Sequence, residues 1–382
     1  MDKHWAKRLK QARIKARMTY EEVSLSTAIP VDVLTLYERR NATPIGDHLH
    51  ALNRLFNLKE QADYPVDKAQ IPHTIADCFK DRFCAEPTPF RVWLKQFARR
   101  FTGSFQHSHV VRTTMFLLLA GAGLAYLTDQ FVSEIFFMSA LTPLLWLLVL
   151  YAMTKEDNMG APGLIYLFVL GGLASIGLVY LFRAITGYPG GLGGDILTGL
   201  IEEAAKVIIV YHALKRFKVV TVKGGILVGV AIGAGFDVFE TADYGVMVFL
   251  EAFDYGDMYG VLIARGMYAL AGIGHHFWTG VLAGTLVYIK KTRIPNGQHF
   301  RHPVFIQMFL LIALIHAIWN FTVVSIPWMS YGVVLLSLLV FLAFYRVAEL
   351  EERYNAHTCK LELLGEDSGF FNVTDDKVRY IR

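Results

Sequence analysis

The sequence predicts an all-α fold, a polytopic helical membrane bundle of about eight transmembrane helices behind a small N-terminal helical domain on the cytoplasmic side. Two observations predict it. Of 382 residues, 54% are hydrophobic and only 18% charged, and the apolar residues gather in long blocks after Val110. The connections between those blocks alternate between basic and acidic. The chain divides into a helical domain over 1–60, a cytoplasmic linker over 61–108, a membrane domain over 109–346 and a cytoplasmic tail over 347–382.

The first domain opens with an amphipathic helix near 5–17, where Leu9, Ala12 and Ala16 recur at helical spacing. Thr19-Tyr-Glu-Glu22 has the form of a capping box, in which the threonine and the glutamate each accept from the other's backbone N–H, and it starts a second helix ending near Ala28. Pro30 suits the start of a third helix over 31–39, with Leu34 and Tyr37 inward and Asp32, Val33 and Thr35 outward. Leu49, Leu52, Leu55 and Phe56 supply a closing helix. The stretch "MTYEEVSLSTAIPVDVLTLYERRNATP" resembles the Cro/C1-type (XRE) helix-turn-helix family, whose third helix enters the DNA major groove. That resemblance implies base contacts from Val31, Asp32, Val33 and Thr35, and phosphate contacts from Arg13, Arg17, Arg39 and Arg40. Asp32 repels phosphate, so a protein-docking role stands beside DNA binding.

Four prolines between 65 and 89 mark the linker, which includes one amphipathic helix near 90–101. Its basic residues Arg91, Lys95, Arg99 and Arg100 suit an anionic membrane surface. Apolar stretches near 110–128, 132–153, 162–185, 195–214, 224–250, 265–289, 303–324 and 328–345 each approach the roughly 20 residues needed to span hydrocarbon. Lys and Arg crowd the connections after the even-numbered spans and before the first, which places both termini in the cytoplasm of a multi-pass inner-membrane protein. Cys78, Cys84 and Cys359 then all face a reducing compartment, so no disulfide framework is expected.

Ionisable groups inside a span cost several kcal/mol unless they face protein or water, so they mark function. Here they are numerous: Glu202, Glu203 and Lys206 in the fourth span, Asp237, Glu240 and Asp243 in the fifth, Arg265, His275 and His276 in the sixth, and His316 and Asn320 in the seventh. At the helical rise, Glu202, Glu240, His275 and His316 all fall on the order of 12–15 Å from the outer ends of their helices. Glu202 with Lys206, and His316 with Asn320, are four apart and share faces. Such a set suits hydrolysis. A carboxylate held out of bulk water can take a proton from water and return it to a leaving amine, and imidazole or amide groups can steady the oxyanion. Alternatively, Glu and His can hold a divalent metal such as zinc that activates the water.

These residues carry a second resemblance. "EEAAK" at 202–206, "GFDVFE" at 235–240, Arg265 with "HHFWTG" from 275, and "HAIWN" at 316–320 resemble the PrsW family of intramembrane proteases, relatives of the CAAX-prenyl proteases. The resemblance runs over roughly 110–345. It implies a bacterial inner-membrane endopeptidase, metallo- or glutamic-type, with Glu202, Glu203, Glu240, His275, His316 and Asn320 as the catalytic set. Where a metal is used, Glu240, His275 and His316 are its expected ligands. The His275-His276 doublet leaves two candidate imidazoles, of which Trp278-Thr279 favours the first. The expected partners are a membrane-embedded protein substrate, the bilayer, and DNA through residues 1–60, in a role in regulated proteolysis. An ion- or proton-coupled sensor or transporter with a regulator head is the alternative, and a tethered transcription factor is a third.

Overall fold

The computed structural model describes residues 5–39, 46–56, 74–79, 89–154, 160–187, 189–219, 221–289 and 295–364. Every regular element among them is a helix. Arg40, linker residues 61–73 and 80–88, and the tail beyond 364 lie outside them.

Four short helices form the head: α1 (Trp5–Lys15), α2 (Tyr20–Thr27), α3 (Val31–Arg39) and α4 (Gly46–Phe56). They close on Leu9, Val23, Ile29, Leu34, Tyr37 and Leu52. The Thr19–Glu22 capping box forms as expected. Two expectations for this surface are corrected. Val33 packs half-buried against the core instead of facing away. Arg13 is not available to phosphate, because it donates to both oxygens of Glu38 at 2.7 and 3.0 Å and to the Met18 carbonyl at 3.0 Å. Glu38 thereby holds the Arg13 guanidinium above its ordinary pKa.

The linker helix α5 (Phe90–His107) turns Trp93 and Phe97 of its apolar face to the protein. It buries Trp93 and Phe97 against the last helix, α15 (Pro327–Leu364), where Phe97 meets Tyr345 edge-on. Glu349 of α15, 2% exposed, accepts from Arg100 at 2.6 and 2.8 Å and from Trp93 Nε1 at 2.8 Å. Arg91, Lys95 and Arg99 stay exposed. α15 runs from the membrane into the tail without a break, so the tail expected from 347 begins as a continuation of that helix.

Six helices among the described residues are long and apolar enough to cross a membrane. They are α6 (His109–Leu127), α7 (Phe131–Met153), the run Gly160–Thr186, α11 (Val222–Ala252), α14 (Pro303–Ser325) and the Pro327–Leu350 part of α15. The Gly160–Thr186 run consists of α8 (Gly160–Tyr166), a π-helical turn over Leu167–Gly171 and α9 (Gly172–Thr186). α10 (Gly191–Arg216) has the length, at 26 residues, but carries Glu202, Glu203 and Lys206 near its middle. The continuous span expected over 265–289 is absent. In its place α12 (Tyr255–Ala271) and α13 (His275–Tyr288), of 17 and 14 residues, are separated by Gly272, Ile273 and Gly274. α13 is too short to span alone, and α12 sits at the lower limit.

α11 is the axis of the bundle: all of Val222 to Val238 is buried, and it packs against α7, α9, α10, α12, α13 and α15. Gly225, Gly229 and Gly233, four apart on one face, let the backbone of α13 come close. A Cβ on Gly229 or Gly233 would strike the carbonyl oxygen of Thr279 or His275, and one on Gly225 would crowd the Val287 side chain and the Ala283 carbonyl. This glycine seam fixes the height of α13 against α11 and so delivers His275 beside the acids of α11.

Candidate active site

The break before α13 creates a problem that α11 solves. A helix N-terminus leaves backbone N–H groups without partners, which inside a membrane is costly. Asp237 of α11 accepts from the His275 N–H at 2.9 Å through Oδ1 and from the His276 N–H at 3.1 Å through Oδ2, and it also bonds the His276 ring at Nδ1. Asp237 thus caps α13 from a neighbouring helix. Gly272 and Gly274, with φ of 120° and 156°, make the turn, and a Cβ on Gly274 would meet the His276 ring and Asp237. His276 is turned to Asp237, which leaves His275 as the imidazole of the cavity.

His275 meets groups from three helices. Its Nδ1 shares a hydrogen bond with Lys206 Nζ of α10, and its Nε2 lies 3.2 Å from Glu240 Oε2 of α11 and 3.9 Å from Glu202 Oε2 of α10. Its ring stands edge-on to His316 of α14, with centroids 4.9 Å apart. α10 and α14 approach through Gly199, which abuts the Ala313 carbonyl one turn before His316. His316 Nδ1 then reaches Glu203 Oε1 at 3.1 Å, and its Nε2 lies 3.8 Å from Glu202 Oε2. Lys206 donates to Glu203 at 2.7 Å, and both side chains are fully buried.

Two arginines hold the acids from the cavity side. Arg183, in the last turn of α9, donates to Glu202 Oε1 at 2.7 Å, and Arg265 of α12 bonds Glu240 and donates to Thr241 Oγ1 at 2.9 Å. Glu202 Oε2 and Glu203 Oε2 remain buried without a hydrogen-bond partner among the described residues. Glu202, His275 and His316 each offer a ligand atom, all within 4.8 Å of one another. Glu240, expected with the two histidines in a metal set, is paired to Arg265, and Glu202 takes its place in the group at ligand spacing.

The group borders a cavity of about 600 Å³, which Asn320, Trp278 and Trp319 also line. Residues 160–347 match the model of a family described as PrsW family intramembrane metalloprotease. The PrsW match takes in α8 to α14 and α15 up to residue 347, and with them every acid, imidazole and arginine of this cavity, and it leaves out the head, α5, α6 and α7. No curated protein and no solved structure matches the chain.

Asp243, exposed, and Asn320 border the cavity without a bond, among the described residues, that ties them to the core group. Two residues have roles that sequence reasoning missed. Nothing in its own helix marks Arg183, in the last turn of α9, until its partner Glu202, 19 positions on, is seen. Asp237 stands among the intramembrane acids, but nothing in the spacing tells that it caps a helix 38 positions away.

Proposed function

We propose that this chain is a membrane-embedded endopeptidase that cuts a membrane-associated protein substrate, with Glu202, His275 and His316 holding a divalent metal such as zinc. The observation that carries this reading is the convergence of those three residues from α10, α13 and α14 beside a single cavity, with a buried Glu202 oxygen that has no hydrogen-bond partner. One carboxylate and two imidazoles are a donor set that suits zinc and leaves a fourth position open. A zinc ion there would bring the pKa of its bound water to about 7 and polarise a peptide carbonyl.

The surrounding residues then have separate tasks. Glu203 bonds His316 Nδ1 and so sets the tautomer and orientation that leave Nε2 facing the cavity. Arg183 fixes the Glu202 carboxylate with Oε2 towards the imidazoles. Glu240, beside His275 and restrained by Arg265, is placed to take a proton from water and return it to the leaving amine. Asn320, one turn beyond His316 on the cavity wall, is placed to donate to the oxyanion.

In this reading α10 and the α12–α13 pair complete eight crossings, with both termini in the cytoplasm of an inner-membrane protein. The head serves as a docking module coupled to regulated proteolysis. The engagement of Arg13 and the exposed Asp32 on α3 weigh against its reading DNA. The test compares membranes of cells expressing wild type or the Glu202→Gln, Glu203→Gln pair for new peptide termini within transmembrane segments. The reading expects termini that vanish with the pair. A loss of pH-dependent ion flux with no change in termini would favour a proton-coupled sensor instead.

A further inference from the structure

α7 carries a proline in its interior. Pro143 has no N–H, so the carbonyl of Ser139, four residues earlier, lacks the donor that an uninterrupted helix supplies. The side chain of the same residue is also unsatisfied. Ser139 is 5% exposed and lines the cavity, yet its hydroxyl has no hydrogen-bond partner among the described residues. A serine within a helix ordinarily bonds back to the carbonyl one turn earlier, and this one does not. A buried hydroxyl without a partner, on a turn where a proline has removed a backbone donor, is expensive in a membrane unless something in the cavity answers it. α7 contributes no ionisable group to the cavity: Met138, Ser139 and Pro143 are its share of the wall, while the acids and imidazoles come from α10, α11, α13 and α14.

We propose that the Ser139–Pro143 turn is a backbone-binding notch, in which the Ser139 carbonyl accepts an N–H and its hydroxyl bonds a peptide group of the substrate. The inference rests on the endopeptidase reading and adds the class of substrate. An intact helix has already used its N–H and C=O groups internally and has none to give. The notch therefore selects a membrane-spanning segment with a locally unwound stretch, rich in Gly and Ser, and lays that stretch across the cavity opposite Glu202, His275 and His316.

The experiment reads binding separately from cleavage. Full-length protein in lipid nanodiscs is mixed with a single-span leucine-rich peptide that has Gly-Ser-Gly in its outer third and a photoreactive side chain beside it. Adducts map to residues 138–143, and Kd rises about five-fold in Ser139→Ala, the loss of one hydrogen bond, while Ser139→Thr keeps wild-type affinity. An unbroken leucine peptide binds more weakly and is indifferent to Ser139→Ala. Adducts confined to other surfaces, or wild-type affinity in Ser139→Ala, overturn the notch. A peptide that binds at α7 with these signatures but is never cut supports the notch and sinks the peptidase reading.

Discussion

At the junction of α5 with α15, Glu349 receives Arg100 on both oxygens and Trp93 as well. In the membrane, Glu202 receives Arg183 on one oxygen only, and the other faces His275 and His316 at 3.9 and 3.8 Å without a bond. Both carboxylates are buried and both meet a guanidinium, so neither burial nor an ion pair separates them. The difference lies in what is left over. Glu349 is consumed in joining α5 to α15, as Glu38 is in joining α1 to α3 through Arg13. Glu202 keeps an oxygen aimed at two imidazoles, which costs stability and is retained where a ligand can use it.

The sharpest way to break that contrast is to remove an imidazole. His316→Ala should lower cleavage of a membrane reporter by on the order of 10²- to 10⁴-fold, and bound zinc, measured by elemental analysis of the purified protein, should fall with it. Retained zinc in an inactive His316→Ala would place the metal elsewhere. Next, Arg183→Gln should weaken zinc affinity and activity together by about 10- to 100-fold, because it frees the Glu202 carboxylate to turn; unchanged affinity in a chelator titration would make Arg183 an anchor only. The smallest effect belongs to the head. Arg13→Ala should cost its helices about 1–2 kcal/mol by hydrogen exchange of α1 and α3 in the full chain, with reporter cleavage unaltered.

Much of this was legible in the sequence. Thr19 and Glu22 announce a helix start because capping is local, and the intramembrane Glu202, Glu203, Glu240, His275 and His316 announce a site because hydrocarbon tolerates such groups only for a reason. The break at Gly272–Gly274 was not legible. Hydropathy continues through it, no proline marks it, and the acceptor that allows it, Asp237, comes from another helix. For the same reason spacing along one helix could not tell which acid joins His275 and His316. That depends on which oxygens the arginines leave over: Arg183 takes only Oε1 of Glu202, whereas Arg265 bonds the same Glu240 oxygen that faces His275.

One paired measurement tests the contrast most directly: reporter cleavage and thermal unfolding of Glu202→Gln and Glu349→Gln, side by side in the same lipid. The prediction is that Glu202→Gln, at a residue that bonds Arg183 through one oxygen only, loses less stability than Glu349→Gln and does not cleave. Glu349→Gln should lose about 1–3 kcal/mol, a range reduced for the partly exposed Arg100, and cleave normally per folded molecule. If the two variants instead lose cleavage and stability in parallel, Glu202 is one more structural carboxylate, and the site built around it is not a catalytic one.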